Sequence, residues 1–273
     1  METTTLKIGA IGSKADYDWL KEDNVVSNLQ YYSVAMLHTI PSSNRCFGGV
    51  MIVGENAEIQ FSDLANLIRQ GYSLFLQNLF SLREEEYSRL LELATEAGVY
   101  IVPSLPGGIQ FTSADRFKPL SANVEVGLPP SNKPNSWLNH CINSIAIAVG
   151  LVPYGVKKTR FVEGDGFRQQ SRFFGCQLEF ENSSLVSVNV SLNGSSPVLM
   201  VRVVGQSGNH HYTKDASGEA ASPQLFSSST LSQFKQVMNG IVLGEATTLT
   251  LEQQQAKQIL HIYRDLEARL TFA

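Results

Sequence analysis

Residues 72–103, YSLFLQNLFSLREEEYSRLLELATEAGVYIVP, decide the fold of the first part of the chain. Two short apolar runs, residues 73–76 and 99–102, have the length and composition of buried strands. Between them lies a helical pattern that begins with a capping box at Ser81 and ends at Gly98. The stretch therefore predicts a β-α-β unit, in which parallel strands are buried beneath helices.

Apolar runs and helical patterns alternate through the first hundred residues. Residues 6–11 and 49–53 have the pattern of buried strands, and residues 31–37 are a further strand candidate. A helical pattern with Ser62 as its expected N-cap follows. This alternation predicts a Rossmann-like, doubly wound parallel sheet, whose ligands lie beyond the carboxyl ends of its strands. Residues 77–80 occupy such an end.

The sequence changes character after Pro103, where prolines and glycines become dense. Residues 136–149 form a strongly apolar helical pattern, and alternating strand patterns separated by turn dipeptides run from residue 154 to residue 212. Such strands predict an antiparallel meander. We therefore expect an α/β domain over residues 1–103, followed over residues 104–273 by an α+β domain with an open antiparallel sheet and helices.

The composition limits the classes of partner. The 273 residues carry a net charge of −4, and this mild negative balance argues against a nucleic-acid-binding surface. The densest basic patch, residues 157–160, is more typical of a solvated strand end than of a phosphate-binding site. No apolar stretch reaches the length of a membrane span, so we expect neither nucleic acid nor a membrane as partner.

Cysteine and histidine usage predicts no metal site. Cys46, Cys141 and Cys176 are far apart and have no zinc-ligand spacing, which indicates free thiols in a reducing, cytoplasmic environment. The start of the sequence lacks the pattern of a signal peptide. His210 and His211 are adjacent, and adjacent side chains on a strand point to opposite faces. We therefore do not expect these two histidines to bind one metal ion.

The end of the first strand resembles a reduced dinucleotide-binding turn. Gly12 can be the first glycine of the fingerprint, whereas Lys14 and Tyr17 stand where the second and third glycines would be. Two interpretations stay open at this point. Either Gly9, Gly12, Ser13 and Lys14 contact an NAD or NADP cofactor, or the turn is purely structural.

Six segments of the chain match one known family. They are the first strand, the helix and strand before the active-site loop, the helix and strand after it, the second-domain helix, a stretch with two glycines and the final helix: residues 6–12, 65–76, 82–102, 139–143 with Gly150, 205–208 and 249–252. Through these segments the chain resembles the Gfo/Idh/MocA oxidoreductases, the group of glucose–fructose oxidoreductase and inositol dehydrogenase. The resemblance implies an NAD(P)-binding Rossmann domain and an open antiparallel sheet through which family members often form homodimers.

The site residues of the family carry over position by position. Its Glu-Lys-Pro motif falls on Gln77, Asn78 and Leu79, so the lysine that contacts substrate and cofactor is Asn78 here. Its helical Asp-x-x-x-His pair falls on Ser136 and His140. The resemblance therefore implies Gln77, Asn78 and His140 as site residues of a divergent, shortened member in which the histidine is kept and the aspartate is not.

Three functions are compatible with this sequence. The first is a regulatory or non-catalytic relative that binds a sugar-like small molecule in the cleft between the two domains. The second is a divergent NAD(P)-dependent oxidoreductase acting on a sugar or polyol hydroxyl, with His140 as base and Asn78 or Gln77 as donors to the substrate. The third is a structural homodimer whose sheet is an interaction surface.

Overall fold

The computed structural model of the protein describes residues 8–12, 29–39, 49–54, 57–77, 79–105, 118–129, 136–162, 173–192, 197–206, 208–215, 234–235, 238 and 246–271. The chain forms two compact units: Met1–Ser104 with Ser229–Leu260, and Leu105–Ser228 with His261–Ala273. The sequence predicts a first domain of residues 1–103 and a second of residues 104–273, and this division into folding domains stays a prediction. The two compact units differ from it because residues 229–260 belong to the first unit.

The first unit contains a sheet of five parallel strands in the order β2-β1-β3-β4-β5. All residues of β1, β3, β4 and β5 are buried, which explains why these strands are unbroken apolar runs in the sequence. The predicted Rossmann-like sheet is confirmed. The strands are β1 (Ile8–Ile11), β2 (Leu29–Tyr32), β3 (Gly49–Val53), β4 (Tyr72–Leu76) and β5 (Ile101–Pro103).

Helix α2 (Glu84–Ala97) connects β4 to β5 and begins later than predicted. A 3-10 turn, Leu79–Ser81, precedes it, and the backbone N–H of Arg83 donates to Glu86 Oε2 at 2.9 Å. Arg83 is therefore the N-cap residue, two positions after the predicted one. Gly98 ends the helix as expected, because its φ of 67° lies in the left-handed region that favours glycine.

Two other predicted boundaries are also wrong. Helix α1 (Phe61–Arg69) is capped by Gln60, whose N–H donates to Asp63 Oδ2 at 3.3 Å, so Ser62 lies inside the helix. The strand expected over residues 31–37 ends at Tyr32, and Val34–Thr39 form a 3-10 helix instead. Apolar residues continue into this segment, and a short apolar run does not distinguish a strand from a helical turn.

A segment from the later part of the chain completes the core of the first unit. The rings of Phe234 and Phe75 meet edge to face, with their centroids 5.4 Å apart. Helix α4 (Ala246–Thr271) contributes the Gln253 side chain, whose amide donates to the backbone oxygen of Ile101 at 2.8 Å. These contacts explain why residues 229–260 belong with the first sheet.

The second unit contains a sheet of six strands in the order β11-β10-β6-β9-β8-β7. The predicted sheet is present, with one difference from a meander: β6 lies between β9 and β10 and pairs parallel to β9. The other neighbouring pairs are antiparallel. The strands are β6 (Ser121–Gly127), β7 (Val156–Val162), β8 (Phe173–Phe180), β9 (Leu185–Ser191), β10 (Val198–Gly205) and β11 (Gly208–Asp215).

The two faces of this second sheet differ in burial. On β6, β8 and β9 every second residue is buried, and helix α3 (Ser136–Leu151) packs against these strands. The intervening residues point to the opposite face, here called the outward face, and all of them except Gly175 are half-buried or exposed. Among the described residues, no helix is long and apolar enough to cross a membrane.

Candidate functional site

The carboxyl edge of the parallel sheet brings together residues that follow three different strands. Gly54 N–H donates to the backbone oxygen of Ile11 at 3.1 Å, and Gln77 N–H donates to that of Val53 at 2.9 Å. Gly12, directly after Ile11, therefore lies beside Gly54, and Gly54 lies beside Gln77. The strand order reverses between β1 and β3, and ligands of doubly wound sheets bind at such a reversal.

Gly12 is required by the backbone of this turn. Its φ of 135° is one that residues with a side chain rarely adopt, and its N–H donates to the backbone oxygen of Tyr32 at 3.2 Å. The turn thus places a glycine where β1 ends, whether or not a diphosphate approaches it.

Gly9 lies inside β1 and is buried. A Cβ atom at this position would collide with the sulfur of Met51, and would lie 3.0 Å from Met51 Cε and 3.1 Å from Tyr32 Cε2. Side chains of the two neighbouring strands therefore fill the space beside Gly9. Packing within the sheet explains this glycine without a cofactor.

Three of the predicted site residues lie outside the described part of the chain: Ser13, Lys14 and Asn78. Their roles in cofactor or substrate contact stay predictions. Gln77, the neighbour of Asn78, is described and lies directly after β4.

The side chain of Gln77 presents a buried acceptor. Its Oε1 atom is buried and has no hydrogen-bond partner among the described residues. A buried acceptor without a donor costs about 1–3 kcal/mol. Gln70 and Gln258 have the same feature away from this edge, so the position of Gln77 at the carboxyl end of β4 makes it the candidate. A hydroxyl or amide of a ligand could supply the missing donor.

His140 lies on α3 in the second unit and is half-buried. The Ser144 hydroxyl, one turn later, donates to the backbone oxygen of His140 at 2.7 Å. Burial lowers the pKa of the His140 imidazole, which favours its neutral form. A neutral imidazole can accept a proton, as a general base must.

The remaining candidate ligands do not assemble into a metal site. His210 and His211 are exposed on β11, and in the described ranges no three His, Cys, Asp or Glu side chains are placed to hold a metal ion. Cys141 and Cys176 are free and buried. Burial raises the pKa of both thiols, that of Cys176 to about 12, so neither is a ready nucleophile.

Gly54 is a residue of this edge that the sequence pattern does not mark as a site residue. Its place beside Gly12 depends on the strand order. The rule that ligands bind at a strand-order reversal could have found it once β1 and β3 were recognised as neighbours.

Comparison with known proteins shows the fold. No family model matches the sequence, and no curated protein matches it. One similar solved structure is UDP-N-acetylglucosamine 3-dehydrogenase GnnA from Acidithiobacillus ferrooxidans, with a TM-score of 0.65 and 12% identity over 97% of this chain and 99% of that chain. A second is a Gfo/Idh/MocA family oxidoreductase from Vibrio cholerae, with a TM-score of 0.63 and 11% identity over 97% of this chain and 99% of that chain. A third is scyllo-inositol dehydrogenase from Lactobacillus casei with bound NAD(H) and scyllo-inositol, with a TM-score of 0.62 and 11% identity over 93% of this chain and 95% of that chain. The chain has the fold of the Gfo/Idh/MocA-type dehydrogenases, as the resemblance implied.

Proposed function

We propose that the protein is a regulatory or otherwise non-catalytic relative of the Gfo/Idh/MocA-type dehydrogenases that binds a sugar-like small molecule without oxidising it. The observation that supports this most is the buried Oε1 atom of Gln77 at the carboxyl end of β4, next to the strand-order reversal between β1 and β3. A sugar or polyol hydroxyl is a donor that this acceptor could bind.

The loss of charge supports a non-catalytic role. Hydride transfer needs a bound nicotinamide, a positioned hydroxyl and a base tuned by its neighbours. At the positions that resemble the Glu-Lys-Pro motif stand Gln77 and Asn78, and Ser136 stands in the place of the aspartate. A neutral amide can orient a hydroxyl, but it does not supply the positive charge of a lysine ammonium group to a developing alkoxide.

The alternative is a divergent NAD(P)-dependent oxidoreductase, and the lowered pKa of His140 favours it. In this reading the neutral imidazole would accept the proton of a sugar or polyol hydroxyl, and NAD or NADP, when bound, would supply the hydride acceptor. Gln77 or Asn78 would hold the substrate. Fluorescence titration with NADH and NADPH tests this alternative, which fails if millimolar cofactor does not bind.

A homodimer through the second sheet is a further proposal. Apolar side chains are exposed on that unit, among them Val162, Phe173, Leu185 and Val204 at 54%, 43%, 43% and 52%. Exposed apolar surface of this kind often marks a protein interface. Light scattering after size exclusion should give the mass of two chains at micromolar concentration, and a monomer would count against the proposal. A cytoplasmic location also stays a prediction.

Ligand-observed NMR with a panel of sugars and polyols, inositols included, tests the binding function. We expect at least one saturable ligand, and a loss of about tenfold in affinity for Gln77→Leu, because one hydrogen bond is removed. Gln70→Leu is the matched control, since it removes a similar buried amide oxygen away from the carboxyl edge. An equal loss of affinity in both variants would show that Gln77 is not part of the binding site.

A further inference from the structure

Gln77 and Ser104 follow two neighbouring strands of the parallel sheet and stand side by side at its carboxyl edge. Leu76 at the end of β4 is the register partner of Pro103 at the end of β5. The backbone N–H of Ser104, directly after Pro103, donates to the backbone oxygen of Leu76 at 2.7 Å. This hydrogen bond continues the pairing of the two strands by one residue, which places Ser104 beside Gln77.

The continued register directs both side chains to one face of the sheet, because residues in register on parallel strands point the same way. Two residues earlier on that face lie Phe75 and Val102, which are register partners and are buried. They belong to an apolar cluster that includes Phe234. The amide of Gln77 and the hydroxyl of Ser104 therefore lie next to an apolar floor, a combination that is typical of small-molecule sites.

The surroundings of this pair suit a small ligand. Both residues are half-buried, so part of each is open to solvent. Beyond Gln77 the same row of residues continues with Gly54 and Gly12, which carry no side chain. On its far side β5 is held by the Gln253 amide, which donates to the backbone oxygen of Ile101 at 2.8 Å. Binding groups fixed in this way by strand pairing are in position before a ligand arrives.

We propose that Ser104 is a second ligand-binding residue of the sugar site, and that Gln77 and Ser104 together hold two hydroxyls of one uncharged polyol. The inference rests on the proposed function and narrows it to ligands with at least two hydroxyls. Neighbouring strands are about 4.8 Å apart, so one molecule of monosaccharide size spans both residues. One hydroxyl donates to the buried Oε1 atom of Gln77, and the second pairs with the Ser104 hydroxyl, which can both donate and accept. Neither residue is charged, so this pair does not compensate the charge of an anionic ligand.

Ligand-observed NMR titration with scyllo-inositol and sorbitol tests the inference. At least one of the two polyols should bind the wild type, and Ser104→Ala should raise its Kd about tenfold, because one hydrogen bond is lost. Ser104→Thr keeps the hydroxyl and should retain most of the affinity. Ser88→Ala is the matched control and should leave Kd unchanged, since Ser88 is also a half-buried serine of the first unit but lies on helix α2. Circular dichroism verifies that the variants are folded.

Comparison with Gln77→Leu separates this inference from the proposed function. The double variant Gln77→Leu, Ser104→Ala should bind more weakly than either single variant, because each residue holds its own hydroxyl. If Gln77→Leu weakens binding and Ser104→Ala does not, the inference is overturned while the proposed sugar site stands. It is also overturned if Ser104→Ala and Ser88→Ala behave alike, if Ser104→Thr loses as much affinity as Ser104→Ala, or if neither polyol binds at millimolar concentration. If the whole panel of sugars and polyols fails to bind, the proposed function fails as well.

Discussion

The carboxyl edge of the first sheet and helix α3 of the second unit differ in what stands at the positions that the family resemblance marks. The edge has a glycine turn and a strand-order reversal, but neutral amides stand where the resemblance places charge. Helix α3 has a histidine at the marked position, and burial lowers its pKa. The difference indicates that the backbone turn and the strand order form without the charges that the resemblance places beside them.

Two glycines of β1 make a similar comparison within the first unit. Gly12 is favoured by its positive φ, whereas a side chain at Gly9 would have to displace the end of the Met51 side chain, which lies beside it. Each glycine has a physical reason that does not involve a cofactor. A glycine in a dinucleotide-like position is therefore weak support for dinucleotide binding in this protein.

The largest expected effect is on stability, for Gly9→Ala. The new Cβ would collide with the Met51 thioether, and such overpacking costs about 1–3 kcal/mol of unfolding free energy. Urea unfolding of Gly9→Ala, Met51→Ala and the double variant measures this. The double variant should lose less than the sum of the single losses, because removing Met51 relieves the collision. Additive losses would contradict the packing explanation of Gly9.

A smaller effect of opposite sign is expected for Gln77→Leu. Removing the buried, unpartnered oxygen should raise the free energy of unfolding by about 1 kcal/mol in the absence of ligand, while sugar binding weakens. Gln70→Leu should give a similar gain without the loss of binding. Urea unfolding measures the first quantity and NMR titration the second. If Gln77→Leu destabilises the free protein, Gln77 is a structural residue and not a ligand contact.

The smallest expected effect is a pH dependence caused by His140. Its pKa is lower in the folded protein than in the unfolded chain, so between the two values the unfolded chain binds more protons. This contribution to stability is complete above the unfolded pKa and is lost as the pH falls towards the folded one. His140→Gln should reduce the slope of stability against pH from about pH 8 to about pH 5. His210→Gln, on exposed β11, is the control.

If the free energy of unfolding changes with pH in the same way in the wild type and in His140→Gln, burial of His140 does not cause the pH dependence. A slope that also falls in His210→Gln would show that histidines outside α3 contribute. Urea midpoints at several pH values measure both outcomes.

Local pattern predicted much of the fold but not all of its pairings. The β4-α2-β5 unit could be predicted because continuous apolar runs and a glycine stop are local signals. The insertion of β6 between β9 and β10 could not, since pairing of distant strands depends on tertiary packing and not on turns. The N-caps were missed because short 3-10 turns and cap geometry depend on backbone detail.

The candidate site was predictable to a similar extent. The position of Gln77 followed from the rule that ligands bind at carboxyl ends of strands. The role of Met51 beside Gly9 and the nearness of Gly54 to Gly12 could not be read from the sequence, because both depend on which strands are neighbours. Burial of the Gln77 oxygen likewise requires the packed structure.

The central claim is that this protein has the fold of a dehydrogenase without its reaction. The most direct measurement is the absorbance of reduced nicotinamide during incubation with NAD⁺ or NADP⁺ and a panel of sugars and polyols that the NMR experiment has shown to bind. We predict no formation of NADH or NADPH above the protein-free background. Turnover at an ordinary enzymatic rate, about 1 per second or faster, that is abolished by His140→Ala would contradict the claim.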